Sequence, residues 1–264
     1  MEKYKRVVEL WRSYKISSAD DIDKYLDSFR ILFAYNSGKI ENEEITYHDT
    51  REIFENGKIV SYTGSTRSVF EQQNQKLCYE VLKDMIIDRE PITVDLIREI
   101  HRILTCGTYD ERRYIVNAER PGDFKRHEYV TGINEVGSSV NKVEEDIKEL
   151  VSEVNKYEGK DVLKVAAYLH ARFESIHPFA DGNGRVGRTL TNYYLMTHDH
   201  PPLIIYDEDK FLYYECLQKY DETEDIDPLH EFLVYESEKT WEKTLALADN
   251  TGREHKGLED FLGG

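Results

Sequence analysis

From residue 162 to 176, apolar side chains fall at Val162, Val165, Ala166, Leu169, Phe173 and Ile176, a spacing that lays one stripe along one face of an α-helix. Pro178 stops that helix, because its ring excludes the residue before it from the helical region and so leaves His177 at a helix-to-loop corner. The glycine-rich run Ala180 to Gly184 follows, and Val186, Leu190, Tyr193 and Tyr194 resume a helical stripe. A helix, a tight glycine loop and a second helix are what this stretch dictates. Similar periodicity over 70–87, 96–104, 143–154, 211–220 and 229–247 predicts an all-α helical bundle. Between Cys106 and Gly137 the pattern changes: glycines separate short runs such as Tyr114–Val116 and Glu128–Thr131, which predicts a small β-hairpin. With no internal repeat, the organisation expected is an N-terminal helical extension over 1–65, one helical domain over 66–250 and a flexible tail over 251–264.

Composition narrows the function. Lys and Arg total 35 against 52 for Asp and Glu, a formal net charge of -17, so nucleic acid, which needs a basic surface, is not an expected partner. The 19 Tyr and 10 Phe belong to a folded chain and not to a disordered acidic one. Cys78, Cys106 and Cys216 are odd in number and widely spaced, which offers neither a disulfide framework nor a paired metal clip. Met1 to Trp11 has no apolar core of the signal-peptide kind, and no window has the ~18 apolar residues of a membrane span. A cytoplasmic location and no membrane partner are expected.

The chemistry concentrates in His177-Pro-Phe-Ala-Asp-Gly-Asn-Gly-Arg-Val-Gly-Arg188. Gly182 and Gly184 let the backbone approach a ligand closely, and their N–H groups with the N-terminus of the next helix form a concave anion site. A phosphate is its natural occupant. Arg185 and Arg188, three apart, share a helix face and add guanidinium forks for phosphate. Cations at a helix N-terminus oppose the macrodipole, which argues against a purely structural reason for them. Asp181 supplies one hard oxygen ligand beside the phosphate, as Mg²⁺ shared with a nucleotide requires. His177 places a base on the rim. Alone, a His before Pro or an Asp-Gly-Asn-Gly turn is ordinarily structural; together in twelve residues they are not.

These positions resemble the Fic family signature, matched at His177, Phe179, Asp181, Gly182, Asn183, Gly184, Arg185 and Arg188. The segment 99–104 is similar to the helix leading to that family's flap, and 122–132 to the flap itself, with Lys125 where the flap usually carries Arg. Tyr213, Tyr214 and Leu217 resemble the segment that follows the catalytic helix. The resemblance implies a Fic fold that transfers AMP from ATP, with Mg²⁺, to a Tyr, Thr or Ser hydroxyl of a target protein, self-modification included. It implies His177 as base, Asp181 as metal ligand, and Gly182, Asn183, Gly184, Arg185, Arg188, Tyr213, Tyr214 and Leu217 at the nucleotide. A flap strand of His127, Glu128, Tyr129 and Val130 would dock the target by strand addition.

Upstream, Ser37-Gly-Lys-Ile-Glu41-Asn42 resembles the family's inhibitory helix. That pattern is weak by itself, since a Glu one turn beyond a Ser is often just a solvated face; its place ahead of the core gives it weight. Glu41 is expected to reach Arg188, with Ser37 and Asn42 holding the helix down. The alternatives are a phosphotransferase or an AMP-removing enzyme on the same fold, or a non-catalytic interaction module. His198 and His200 read as a loop after a helix, not as metal ligands.

Overall fold

The structure is a computed structural model, and it describes residues 2–42, 44–59, 62–130 and 137–251. Ten α-helices occur among the described residues: α1 (Glu2–Ser13), α2 (Ala19–Glu41), α3 (Tyr47–Asn56), α4 (Thr66–Ile87), α5 (Val94–Leu104), α6 (Val143–Lys156), α7 (Val162–Ile176), α8 (Asn183–Thr197), α9 (Lys210–Thr223) and α10 (Asp227–Thr251). The all-α class stands.

Capping residues fix several starts. Ser18, Thr46, Ser65, Thr93 and Asp161 each place a side-chain oxygen on a first-turn N–H of α2, α3, α4, α5 and α7. The predicted hairpin is a correction: Arg112–Val116 is a single π-helical turn, and 121–130 carries no strand. The short run Tyr114–Val116 is too brief for periodicity to decide, and the Arg120 guanidinium lies over the Tyr114 ring at 3.9 Å, holding the turn. Thr131 and Gly132 of the expected flap, and the tail from 252, lie outside the described residues.

The centre of the bundle is α8, which packs against α7, α2, α4 and α5. Nearly every side chain of α8 is buried, although many are polar. Their hydrogen bonds are made locally: Thr189, Thr191 and Thr197 return to carbonyls one turn back, and Asn192 pairs with the backbone of Leu203 in both directions. Around it, Leu104, Leu169, Phe173, Ile176, Phe179, Val186 and Leu190 are fully enclosed, each contributing about 1.5–3 kcal/mol by removal from water. The N-terminal helix α1 packs on α10 through Trp11 and Trp241, whose rings meet edge to face at 5.5 Å. Helix α2 lies across α4 and α8, which sets its C-terminal turn beside the glycine loop. Among the described residues no helix is long and apolar enough to cross a membrane.

Candidate active site

His177 ends α7 in the left-handed region, φ 49°, and its backbone N–H still donates to Phe173 O at 3.0 Å. Pro178 forbids another helical turn, so the chain leaves at a sharp angle that presents the imidazole at the loop. A non-glycine residue in that region costs about 1–2 kcal/mol, a strain of the kind that collects at functional sites. Burial first, and the Lys125 ammonium second, push the ring down to about 4. It hydrogen-bonds the Glu174 backbone, which leaves a neutral ring with its other nitrogen free to accept a proton.

The loop is drawn into shape by Asn183, whose amide donates to Phe179 O at 2.8 Å and accepts from Phe179 N at 2.9 Å. Its side chain braces the loop. Gly182 caps α8 with φ 83°, and a Cβ there would lie 2.6 Å from Thr105 Cγ2. Only glycine fits. No side chain caps the first turn of α8, so its N–H groups remain directed at the loop.

Asp181 is mostly buried. Its Oδ2 accepts from Arg67 Nη2 at 2.7 Å, and its Oδ1 lies 3.5 Å from Arg185 Nη2. Burial alone would raise this carboxyl, but Arg185, Arg67 and Arg113 hold it below the usual range. Glu71 closes the ring, with Oε1 2.9 Å from Arg67 Nε and 3.1 Å from Arg185 Nη1. Arg188 is buried and donates Nε to Ser37 Oγ at 3.0 Å, and Nη2 to Ser37 O at 3.0 Å and Glu41 Oε1 at 2.8 Å. Asn42 Nδ2 donates to Ser68 Oγ at 2.8 Å, tying the end of α2 to α4. Gly184 makes room for Glu41, whose Oε1 would lie 2.4 Å from a Cβ at that position.

Phosphate suits this arrangement. Arg185 Nε and Arg188 Nη1 are shut from solvent with no hydrogen-bond partner among the described residues; leaving such donors unpaired costs about 1–3 kcal/mol each. Arg188 Nη1 would lie 2.9 Å from a Cβ at Gly184, which sets that donor beside the α8 N-terminus where a phosphate is expected. Among the described residues no three His, Cys, Asp or Glu side chains converge on a metal position. A cation there would take one protein oxygen from Asp181 and the rest from phosphate and water, which is how Mg²⁺ is commonly held with nucleotides.

Other expectations fare differently. Tyr213 is buried, with its hydroxyl 2.7 Å from His170 Nε2, so it supports the site from behind and its ring is not open to a base. Tyr214 is exposed and Leu217 half-buried. His127, Tyr129 and the Arg126 N–H gather on the buried Glu119 carboxylate, Glu128 accepts from Val140 N and Val130 is exposed, with no strand among them. His200 meets the Tyr4 hydroxyl and Arg12. Sequence reading missed Arg67, Glu71 and His101. His101 stacks on Phe179 at 3.6 Å, accepts from Gly122 N on Nδ1, and so presents Nε2–H to Asp181 O at 3.0 Å; burial pushes it down to about 3 and keeps it neutral.

The chain is similar to known proteins over a stretch that includes this loop. The family model described as Fic/DOC family matches residues 91–195. A protein of Nematostella vectensis called protein adenylyltransferase Fic is 30% identical over 222 residues, covering 80% of this chain and 48% of that protein. Its namesake in Drosophila melanogaster is 27% identical over 215 residues, 78% of this chain and 40% of that protein. The chain thus spans about half or less of the length of these relatives. Among solved structures, a Fic domain-containing signaling protein of Bacteroides thetaiotaomicron superposes with a TM-score of 0.80 at 24% identity, covering 97% of this chain and all of that one. Fic-1 of C. elegans gives 0.78 at 22% identity, over 95% of this chain and 73% of that one. With the signature on one loop, the helices that carry it in the order of that fold and the similarity running well beyond the motif, the chain belongs to the Fic/DOC family.

Proposed function

We propose that the chain is a protein adenylyltransferase that moves AMP from ATP to a Tyr, Thr or Ser hydroxyl of a protein, and that Glu41 holds it inactive. The observation that carries this reading is the pairing of a neutral, half-buried His177 with unpartnered guanidinium donors of Arg185 and Arg188 across one glycine loop. His177 takes the hydroxyl proton as the oxygen attacks the α-phosphorus; the new O–P bond forms as the bond to the β-phosphate oxygen breaks, and pyrophosphate leaves. Backbone N–H groups of Gly182 to Gly184 stabilise charge on the transferred group. Arg185 grips the departing pyrophosphate and Arg188 the γ-phosphate. Asp181 would hold Mg²⁺, which when bound offsets charge on the α- and β-phosphates. Positioning and charge suffice, with no covalent nucleophile.

Tyr214 and Leu217 are assigned to the rim of the base, and His127 to Val130 to the docking of the target backbone. The Glu41 carboxylate takes the Arg188 fork that a γ-phosphate needs, leaving ATP misaligned for in-line attack. Similarity to proteins named adenylyltransferase supports the reading over phosphate transfer, as does the intact Gly184. A cytoplasmic setting fits three cysteines without a disulfide among the described residues. The experiment is intact-mass spectrometry of the Glu41→Gly protein incubated with Mg²⁺ and each nucleoside triphosphate in turn. An adenylate added with ATP supports the proposal, and a phosphate, another nucleotide or no addition opposes it.

A further inference from the structure

Arg67 reaches the Asp181 carboxylate from outside the signature loop. It stands in the first turn of α4, and its two ends do different things: Nε is fixed to the buried Glu71 one turn along, while Nη2 reaches Asp181 Oδ2 at 2.7 Å. About a third of its side chain is exposed, so the fork can swing outward about the Glu71 contact. A guanidinium and a divalent cation cannot both sit against one carboxylate oxygen without strong like-charge repulsion.

The turn that carries Arg67 is also fastened to the segment just beyond Glu41. Ser65 N and Ser68 Oγ both donate to Glu44 Oε2, at 3.0 and 3.3 Å, and Asn42 Nδ2 donates to Ser68 Oγ at 2.8 Å. Glu41 and Arg67 are therefore parts of one hydrogen-bonded unit. Its carboxylate lies on the arginine meant for phosphate, and its guanidinium lies on the carboxylate meant for metal.

Resting on the nucleotide reading above, we propose that Arg67 is a second plug, a resident cation on Asp181 that Mg²⁺ must displace. The inhibitory segment then closes the cation position as well as the γ-phosphate position, each with a group of the matching charge. Because Arg67 neutralises Asp181, it aids nucleotide that arrives without metal and opposes nucleotide that arrives with it.

That opposition gives a test that does not depend on turnover. The affinity of the full chain for ATP is measured by titration calorimetry in saturating Mg²⁺ and in excess EDTA, for wild type, Arg67→Met and Arg67→Lys. Arg67→Met should tighten binding with Mg²⁺ and weaken it in EDTA, each by about fivefold, so that the ratio of the two moves by more than tenfold. Arg67→Lys, which keeps the charge, should stay near the wild-type ratio. If Arg67→Met does not fold, Arg67→Gln, which retains a donor for Glu71, takes its place. An unchanged ratio overturns the proposal, including the case where both affinities fall together, as loss of a merely structural ion pair would produce. Absence of ATP binding by wild type and by Glu41→Gly in either buffer would instead refute the nucleotide reading, and this proposal with it.

Discussion

Arg188 Nη2 donates to Glu41 Oε1 at 2.8 Å, joining two residues 147 positions apart across the glycine loop. Two further bonds, donated by the same guanidinium to Ser37 Oγ and O, complete the grip. Hydrogen bonds to charged groups contribute about 1.5–3 kcal/mol, so removing the carboxylate should raise self-modification by about 10- to 100-fold. Mass spectrometry of wild type and Glu41→Gly under saturating Mg²⁺-ATP checks this. Equal modification would return Glu41 to the status of a surface residue. The fold should stay intact, because Ser37 still accepts two bonds from the Arg188 guanidinium.

Removing the base gives a different signature. His177→Ala in the Glu41→Gly background should lose about 10²- to 10⁴-fold in transfer while its affinity for ATP holds, since in the proposed mechanism the imidazole meets the incoming hydroxyl and not the phosphates. In the parent, the His177 ring is held down to about 4 by burial. The rate should therefore stay flat as pH falls from neutrality to about 5, and a drop centred on the ordinary histidine range would contradict that environment.

Asp181→Asn preserves size and removes the charge that would offset a metal. The Mg²⁺-dependent gain in ATP affinity should largely vanish, read as the difference between titrations with Mg²⁺ and with EDTA. An undiminished gain would mean that the metal has another ligand.

Stability should peak close to pH 6.5. His101 sits at about 3 and His170, His177 and His200 at about 4, against 6.5 ordinarily, in each case chiefly by burial. Each folded ring stays neutral while the unfolded chain takes up protons, so their contribution is complete above 6.5 and is lost as pH falls toward 4. Glu174 and Glu236 are pushed up to about 8 by burial, from 4.5. For them the folded state binds more protons, so stability is lost as pH rises toward 8. Urea midpoints across pH 4 to 8 test the dome, and a monotonic rise through pH 8 would oppose the buried, protonated state of the two glutamates.

Gly182→Ala should destabilise the fold by about 1–3 kcal/mol, because it combines a left-handed backbone with a Cβ pressed on Thr105. A urea midpoint equal to that of the parent would mean that the loop relaxes freely.

How much was legible follows from distance along the chain. His177, Asp181, Arg185 and Arg188 lie within twelve residues, so spacing alone set them on one loop, and Pro178 announced where α7 ends. The sequence sets Asn183 in the loop but does not show that its amide is engaged by the Phe179 backbone. Arg67 and His101 escaped notice because each meets Asp181 from 114 and 80 residues away. In α4 an Arg and a Glu four apart look like a solvated pair; only the approach of α8 closes them into a ring with Asp181 and Arg185. Tyr213 and Tyr214 are adjacent on α9 with rings 5.1 Å apart, yet the first is buried and the second exposed, a distinction that rests on which face α7 and α10 cover. The run Tyr114–Val116 had strand-forming residues but too few of them, and the cation over its tyrosine settled a helical turn instead.

AMP transfer is tested most directly by following the phosphates separately. Glu41→Gly protein is incubated with Mg²⁺ and ATP labelled on either the α- or the γ-phosphate, with Glu41→Gly/His177→Ala alongside. Transfer of AMP predicts stable incorporation of the α label, none of the γ label, and loss of the α signal when His177 is replaced. Incorporation of the γ label, or an α signal that survives without His177, would contradict it.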